Sequence, residues 1–565
     1  MALEKIADRI VETDVLVVGG GIAGCPAAAK AAEHGLKVTL AEKAKTDRSG
    51  SAAEGIDHYG GAFPRGMTPK EWQGYIDSFS PGFAYGAAPW ADPTRFYRQY
   101  ANGMWAVEEL EKLGVTMRWT DGERRPCDCH HEGPFLRVHW QNVKPEMAAG
   151  VRKRGVNVLE RTMVVDLLTN NGVVTGATAI DTRTGEFIVI KSKAVVIATA
   201  ACSRVINPET PLPWKYKFNY HWCPSSVSGD GWAMAYRAGA ELSSMEQAER
   251  GGRFRDDKVM SFGNHGNEGI PAKRLTWDGE ETIGRPGFRS RRFAEIQRQG
   301  RDEPRYISLE HLPDDYQKRV EVAFVDERLV SFKIAEDRGF NPRTHWYETM
   351  DNRVNQLHVE PGIYLDADFM SSLPGLYAVG DCMAGNHDVA NAAASGFLVG
   401  DSIHEFVNKA SEPVIDEARV ESLKQISLAP LGVKDGTEPM ELESAVRYIC
   451  DRYVGVARAE GRLREGLRRL GSLKREFLPQ LVAKNPHYLM RALEVRNVMD
   501  IAELHIQACL ERKETRMAHT RLDYPEADPS LDDMLLFQRL ENGKSVIEFR
   551  KRAPMALPDD HKEER

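Results

Sequence analysis

No apolar run in this chain of 565 residues reaches the ~18 consecutive residues that a membrane-spanning helix needs, so no helical span is expected. The net charge of -8 leaves no global basic field, which argues against nucleic acid as a partner. The opening residues, MALEKIADRI, include acids and lack both an apolar export core and twin arginines, so a cytoplasmic protein is expected. Only eight cysteines occur, and they are scattered, far below the density of a disulfide scaffold. None forms the repeated C-x2-C pattern of an iron–sulfur ligand set. If the chain handles electrons, any cluster sits on another chain. No internal repeat is visible.

What the chain does contain is a dense signal near its start, VLVVGGGIAGCPAAAKAAEHGLKVTLAEK. Val15–Val18 reads as a buried parallel strand. It runs into Gly19-Gly20-Gly21-Ile22-Ala23-Gly24, a G-x-G-x-x-G turn. An Ala-rich helix is expected over 25–34, stopped by Gly35, then a second strand over 36–40 leading to Glu42. Each part has a physical role. Gly19 permits the tight turn, Gly21 lets backbone approach a pyrophosphate, and Gly24 lets helix and strand pack closely. The helix N-terminus offers free N–H groups and the positive dipole end to phosphates. Glu42, at about the 20-residue spacing expected, can accept from a ribose hydroxyl.

Further along, residues 72–79 and 93–113 read as helices. The second opens on Pro93, whose missing N–H costs nothing in a first turn, and ends at Gly114. Residues 147–154 read as a helix and 155–166 as a strand, with a hairpin at Gly185. The stretch AVVIAT at 194–199 is another buried strand, running into Ala200 and Ala201, where backbone can again meet a ligand. A helix over 230–239 opens at Ser228-Gly229-Asp230-Gly231. From 246 to 355 charge rises and strand signals become rare, as in an insertion. Strands return at 362–365 and 375–379, the second running into Gly380-Asp381, and a helix follows over 393–406. Beyond 413 long amphipathic patterns prevail, over 440–470 and 488–512, interrupted at Gly455, Gly461 and Gly471. From 528 acidic and basic clusters mix, as in a tail wrapped over the surface. The expected fold class is α/β. A Rossmann-like nucleotide domain is assembled from separated segments, 1–245 and 356–412. An inserted α+β capping domain covers 246–355, a helical domain 413–527, and a C-terminal tail 528–565. Ligands bind at the carboxyl ends of such strands, and a site between two domains can close over substrate.

Four stretches carry a resemblance that spans most of the chain. The first is the glycine turn with Glu42. The second is Gly375-Leu376-Tyr377-Ala378-Val379-Gly380-Asp381, similar to G-L-Y-A-x-G-[DE]. The third is Ser228-Gly229-Asp230-Gly231 with Ala238-Gly239-Ala240, similar to T-G-D-G and A-G-A. The fourth is Arg512-Lys513-Glu514-Thr515-Arg516-Met517-Ala518-His519 with Arg521, Asp523, Tyr524 and Pro525, similar to R-x-E-S-R-G-A-H and R-x-D-Y-P. Together they resemble the flavoprotein subunits of the succinate dehydrogenase and fumarate reductase superfamily. Within it, the likeness is strongest to the α subunits of dissimilatory adenylylsulfate reductase. The stretch 51–61, with a shorter spacing, is similar to that group's A-x-A-Q-G-L-x-A-I-N-x-Y, placing Asp57 where it has an Asn beside the flavin. Ser244-Met245-Glu246 leading to Arg253-Phe254 is similar to its M-E-N-R-F…A-R-F-K-D, placing Arg253 at the substrate arginine.

The resemblance implies an FAD-dependent oxidoreductase acting on a small anionic substrate. The implied electron partner is a ferredoxin-like iron–sulfur protein, in an oligomeric assembly. The resemblance also implies FAD contacts at Gly19, Gly21, Gly24, Glu42, Ser51, Gly55, Asp57, Val165, Ala200, Asp230, Asp381 and Ser395. Two other readings stay open: a fumarate reductase-type enoate reductase, and an electron-transfer flavoprotein without its own catalysis. Departures from the superfamily bear on the choice. Respiratory members attach FAD to a His in R-S-H-T, whereas this chain reads Arg48-Ser49-Gly50-Ser51, so noncovalent FAD is expected. Fumarate reductases clamp a carboxylate with an Arg in H-G-A-N-R-L. The segment His387-Asp388-Val389-Ala390-Asn391-Ala392 puts Ala392 at that place and removes the bidentate clamp. Their proton-donating Arg falls near Asn264-His265-Gly266-Asn267. Fumarate reduction is therefore disfavoured.

The candidate catalytic residues are His387, His358, Arg253 and His265. A histidine near the reacting flavin atom can move a proton, with an unperturbed pKa of ~6.5; the bland reading of each is a packing role. Arg253 and Arg255 match an anion in bidentate fashion. Alternatively they sit in a solvated loop neutralised by Asp256 and Asp257. Tyr220 or Trp222 falls at the place of a stacking Trp; Trp214 and Trp232 read as packing residues. Cys127-Asp128-Cys129-His130-His131 holds four metal-capable side chains but lacks the second knuckle that four-coordinate sites use. A loop with free thiols is the preferred reading, and no metal is assigned.

Overall fold

The computed structural model describes residues 3–53, 91–126, 142–205, 226–248, 360–386, 389–455, 457–517 and 519–554. Shorter pieces are described between 56 and 71, at 136–138 and 224, and between 254 and 357. The helix expected at 72–79 lies outside them.

A five-stranded parallel sheet organises the first part of the chain. Its order is Leu376–Ala378, Ala194–Ile197, Val15–Val18, Val38–Ala41 and Asn157–Leu159. Val15 pairs with Ala194 on one side and Val38 on the other. Every residue of these three strands is buried. Cover on both faces is why they read as continuous apolar runs rather than alternating ones. The helix Gly24–Glu33 is built largely of alanine and glycine. That thinness admits the later helix Val389–Lys409: a Cβ on Gly396 would stand 2.3 Å from the Ala23 carbonyl oxygen. A second sheet, in the order Arg9–Glu12, Phe187–Lys191, Val173–Asp181 and Thr162–Asn170, lies beside the first. Its hairpin turns at Gly185, φ +80°, as the sequence suggested.

Several expected elements differ in detail. The helix over 93–113 is two helices, Pro93–Ala101 and Gly103–Leu113. The Asn102 side chain donates to the Arg98 carbonyl at 2.7 Å, a local bond that competes with helix propagation, and Gly103 follows. The helix placed at 147–154 begins earlier, as Val143–Lys153, because Pro145 falls in the first turn, where N–H groups lack helical partners. The strand over 155–166 is two strands in different sheets, Asn157–Leu159 and Thr162–Asn170, parted by Arg161 at φ +54°. The helix expected at 393–406 runs over Val389–Lys409.

Among the described residues of the 246–355 stretch, five short strands pair into one sheet. Charged sequences such as Lys273–Thr276 and Arg305–Ser308 hide these strands, because none has an apolar run. Gly455, φ +55°, does end a helical run, but Gly461 and Gly471 lie inside Glu460–Glu476. That helix is carried by buried Leu463 and Leu470 rather than by propensity. Residues from 528 are not a surface wrap. Met534–Glu541 and Lys544–Lys551 form a hairpin, and the first pairs antiparallel with Leu242–Ser243. Leu535, Leu536 and Phe537 are buried there.

Ion pairs tie the helical segments to the sheets. Lys43 donates to Asp230 Oδ2 at 2.8 Å and to Glu494 Oε1 at 2.7 Å. Arg204 bonds both Glu443 and Glu494, with all three side chains buried. Arg496 bonds Asp166 at 2.9 Å, and Arg237 bonds Asp500 at 2.8 Å. The Arg512 motif is a second knot. Arg512 bonds Glu246 and Glu514, each at 2.7 Å, in full burial. Arg458 donates to the Glu246 carbonyl at 2.7 Å and bonds His519 Nδ1 at 2.6 Å. The motif that carries the resemblance thus acts here as internal scaffolding. Five described cysteines, Cys25, Cys202, Cys382, Cys450 and Cys509, are free and buried. No described helix is long and apolar enough to cross a membrane.

Candidate active site

Three strand ends of the parallel sheet converge on one edge. Val15–Val18 runs into the glycine turn. Gly19 takes φ +103°, and a Cβ there would stand 2.5 Å from the Ala198 carbonyl oxygen. A Cβ on Gly24 would stand 1.9 Å from the Gly19 carbonyl oxygen. The protein's own backbone therefore demands both glycines. Gly21 differs: a Cβ there would meet nothing within 4 Å. Its surface is open, as a backbone that receives a diphosphate requires. The helix behind it starts at Gly24 without a side-chain cap, leaving first-turn N–H groups for a ligand. Glu42 closes the next strand. Its carboxylate accepts from the Gly20 N–H and the Ala44 N–H, each at 2.8 Å. One lone pair on each oxygen is left for a ribose hydroxyl.

The late pieces complete the edge. Gly380, φ +67°, follows Leu376–Ala378 and donates its N–H to Ser395 Oγ at 3.0 Å, while Ser395 donates to the Ala392 carbonyl at 2.8 Å. Ser395 is thereby a backbone clamp for the Gly380-Asp381 corner. Asp381 Oδ1 accepts from Asn386 Nδ2 at 2.8 Å. Ala200 takes a left-handed φ of +61°, and its carbonyl accepts from Cys382 Sγ at 3.1 Å. Burial pushes the Cys382 thiol up to about 12, so it is a neutral donor, not a nucleophile.

The expected contacts do not all gather here. Gly19, Gly21, Gly24, Glu42, Ala200, Asp381 and Ser395 belong to this edge by the bonds and contacts just given. Ser51 is exposed, just beyond Gly50. The Val165 side chain packs with Met163, Leu168 and Val189 in a separate apolar cluster, and its carbonyl accepts from Arg237 at 2.9 Å. Asp230 is engaged by Lys43, by the Ser228 hydroxyl at 2.9 Å and by Asn497 at 2.8 Å, in the joint with the helical segments. Trp232 is buried, donating to the Cys382 carbonyl at 2.9 Å. Gly55, Asp57, Trp214, Tyr220, Trp222, Arg253, His265, His358, His387 and Cys127 to His131 lie outside the described residues. No cluster of three or more metal-capable side chains occurs among the described residues.

Two features that the sequence did not single out complete the fit to FAD. Ser49 Oγ is buried without a hydrogen-bond partner, and Gly50, the next residue, passes the turn with its would-be Cβ 3.9 Å from Gly21 Cα. A buried orphan hydroxyl beside an open glycine surface is what a bound polar group would satisfy. Lys144, at 1% exposure, donates its ammonium to the Gly20 carbonyl, holding the turn and setting a positive charge beside it. Its only sequence trace is a Lys-Pro pair in a first helical turn. Lys144→Met is expected to weaken FAD binding about tenfold or more, the effect of one charge-assisted bond. Fluorescence titration of apoprotein with FAD checks this. Unchanged affinity would remove Lys144 from the site.

Comparison with known proteins agrees with this geometry. The model of the FAD binding domain matches residues 14–251, and that of the fumarate reductase flavoprotein C-terminus matches residues 443–556. The fumarate reductase flavoprotein subunit of Haemophilus influenzae is 24% identical, over 96% of this chain and 94% of its own. L-Aspartate oxidase of Streptomyces coelicolor is 25% identical, over 98% of this chain and 95% of its own. Among solved structures, adenylylsulfate reductase from Archaeoglobus fulgidus superposes with a TM-score of 0.81 at 23% identity, covering 98% of each chain. One match falls on the glycine turn and its sheet, the other on the helices and the Arg512 knot. Together the two matches mark an FAD binding domain and a C-terminal region of the fumarate reductase flavoprotein type, and the chain is an FAD-dependent oxidoreductase.

Proposed function

We infer that the chain is the flavoprotein half of a two-component oxidoreductase. A small anionic substrate of the adenylylsulfate type reacts at its FAD, and a ferredoxin-like iron–sulfur protein exchanges the electrons. FAD, when bound, supplies the two-electron chemistry; the chain's residues bind it, orient the substrate and move a proton. Residues 246–355 act as the cap over the sheet edge and 413–527 as the helical support. The flavin is held noncovalently, since Gly50 stands where respiratory members carry the attaching His.

One observation carries the choice of substrate. Ala392, at the place of the dicarboxylate-clamping Arg, is 8% exposed. Its Cβ lies 3.7 Å from where a Cβ on Gly380 would stand. An alanine packed at that corner gives no bidentate hold on a four-carbon diacid, which supports a different anion. In this reading Arg253 from the cap binds the anion, and His387, His358 and His265 are the proton carriers. Support for a separate electron partner comes from the fumarate reductase relatives, two of which are named as flavoprotein subunits. The dicarboxylate reading keeps its own support: relatives matched over more than nine-tenths of this chain are named fumarate reductase and L-aspartate oxidase.

Photoreduced, FAD-loaded protein distinguishes these readings when it is mixed anaerobically with adenylylsulfate or with fumarate while flavin absorbance is followed. Saturable reoxidation by adenylylsulfate, and reduction of oxidised flavin by sulfite with AMP, is the expected result. Arg253→Ala is expected to raise the half-saturating concentration about tenfold. Saturable reoxidation by fumarate alone would install the dicarboxylate reading. Reoxidation by a ferredoxin but by neither anion would leave a purely electron-transferring flavoprotein.

A further inference from the structure

The helix Pro93–Ala101 carries nothing that marks it in the sequence as part of a site. Its buried polar side chains nevertheless converge on the chain just beyond Asp381. Arg95, at 1% exposure, donates from Nη2 to the Ala384 carbonyl at 2.6 Å, and from Nη1 to Gln99 Oε1 at 3.1 Å. Its third neighbour is the Met383 sulfur at 3.6 Å. Gln99, fully buried, donates to the Asn391 carbonyl at 2.8 Å and to Asn386 Oδ1. Asn386 in turn donates from Nδ2 to Asp381 Oδ1 at 2.8 Å. A continuous chain of bonds thus runs from the helix to the carboxylate. Two further bonds hold Ala384 and Asn391, on either side of residues 387 and 388.

We propose that Arg95 and Gln99 are positioning residues of the flavin site, orienting Asp381 through Asn386 and fixing the backbone at Ala384 and Asn391. The argument against a plain packing role is energetic. All three acceptors around the Arg95 guanidinium are neutral, and removing such a cation from water without an ion pair is costly. Burial pushes its pKa down to about 10, against the opposing influence of Asp92 and Asp366. Asp92 is itself used as the helix cap, accepting the Arg95 N–H at 2.9 Å. An apolar side chain of the same length would fill the space without that cost. A retained charge is explained by a nearby group that becomes more negative in use, and reduction adds electrons to the flavin. A buried cation at this corner stabilises the reduced form, and so raises the midpoint potential.

The inference rests on Asp381 contacting FAD, and the test separates the two. FAD affinity and flavin midpoint potential are measured for Arg95→Met, Arg95→Lys, Gln99→Met and Asp381→Ala in FAD-loaded protein, with circular dichroism as the folding control. Arg95→Met is expected to move the midpoint about 30 mV or more to the negative, tenfold in a two-electron equilibrium. Arg95→Lys is expected to restore most of it. Gln99→Met, which removes no charge, is expected to weaken FAD binding several-fold and alter the flavin absorption bands. Wild-type potential in Arg95→Met overturns the proposal. Should that variant not fold, wild-type affinity and bands in Gln99→Met overturn it. If Asp381→Ala leaves FAD affinity unchanged, the placement of the flavin fails instead, and the proposal with it. Weakened FAD in Asp381→Ala beside unaffected Arg95→Met and Gln99→Met rejects the brace alone.

Discussion

Gly24→Val is expected to yield protein that purifies colourless and binds added FAD at least a hundredfold more weakly than wild type. The Gly24 Cβ position lies 1.9 Å from the Gly19 carbonyl oxygen, so the helix must retreat from the strand and take its N-terminal N–H groups with it. Stability falls too, because the collision is with backbone and cannot be relieved by a rotamer. Gly21→Ala gives the contrast. Its Cβ meets no protein atom within 4 Å, so apoprotein should melt at the wild-type temperature. It should still lose FAD affinity about tenfold or more, since the methyl would occupy the approach to the diphosphate. Thermal melts of both apoproteins and FAD titrations decide the matter. If Gly21→Ala binds FAD normally, the diphosphate does not lie on this turn.

Removing Glu494 is expected to be the most destabilising single change among the described ion pairs. Glu494→Ala leaves the buried Arg204 and the part-buried Lys43 with half their counter-charge, a loss of about 3–5 kcal/mol for a broken buried pair. Thermal unfolding should show it as a lowered midpoint, and Glu494→Gln should recover part of the packing but not the charge. The pH dependence follows from the same contacts. Burial alone would raise the Glu494 carboxyl, but Lys43, Arg204 and Arg491 overcome this and hold it at about 2 against an ordinary 4.5. A depressed folded value means stabilisation that is complete above the ordinary value and lost as pH falls between these two. Burial likewise works against the Lys43 charge, yet Asp230 and Glu494 hold its pKa above the ordinary lysine value. Its contribution is full below that value and is lost only as pH rises beyond it. Acid unfolding followed by circular dichroism should therefore steepen in this acidic window, and the steepening should shrink in Glu494→Gln. An identical acid limb in both proteins would show that the joint does not control it.

Much of the nucleotide half was legible because its signals are local. The strand Val15–Val18, the glycine turn, the alanine-rich helix and Glu42 lie within 28 consecutive residues, each with a short-range physical reason. The Gly380-Asp381 corner was legible for the same cause. What escaped depends on distant contacts. Lys144 and Arg95 are ordinary surface residue types in sequence, and only tertiary burial turns them into interior cations. Asp230 reads as an FAD contact by resemblance, and its bonds to Lys43 and Asn497, remote in the chain, are not legible in that motif. The hairpin from Met534 to Lys551 sets short apolar runs among charged residues, with the second strand only partly covered, and this mixture looks like a polar tail until its partner strand is known. Gly471 looked like a helix stop because propensity was weighed without the buried Leu470 beside it.

The central sheet also dictates when the protein can mature during synthesis. Its outer strand is Leu376–Ala378, and the cover over the helix Gly24–Glu33 is Val389–Lys409. The strand Ala194–Ile197 must wait with one edge unpaired, and the helix behind the glycine turn must wait uncovered, until residues 376–409 have left the ribosome. Coenzyme loading is thus a late event, and the nascent N-terminal third is the segment on which chaperones and proteases have the longest time to act.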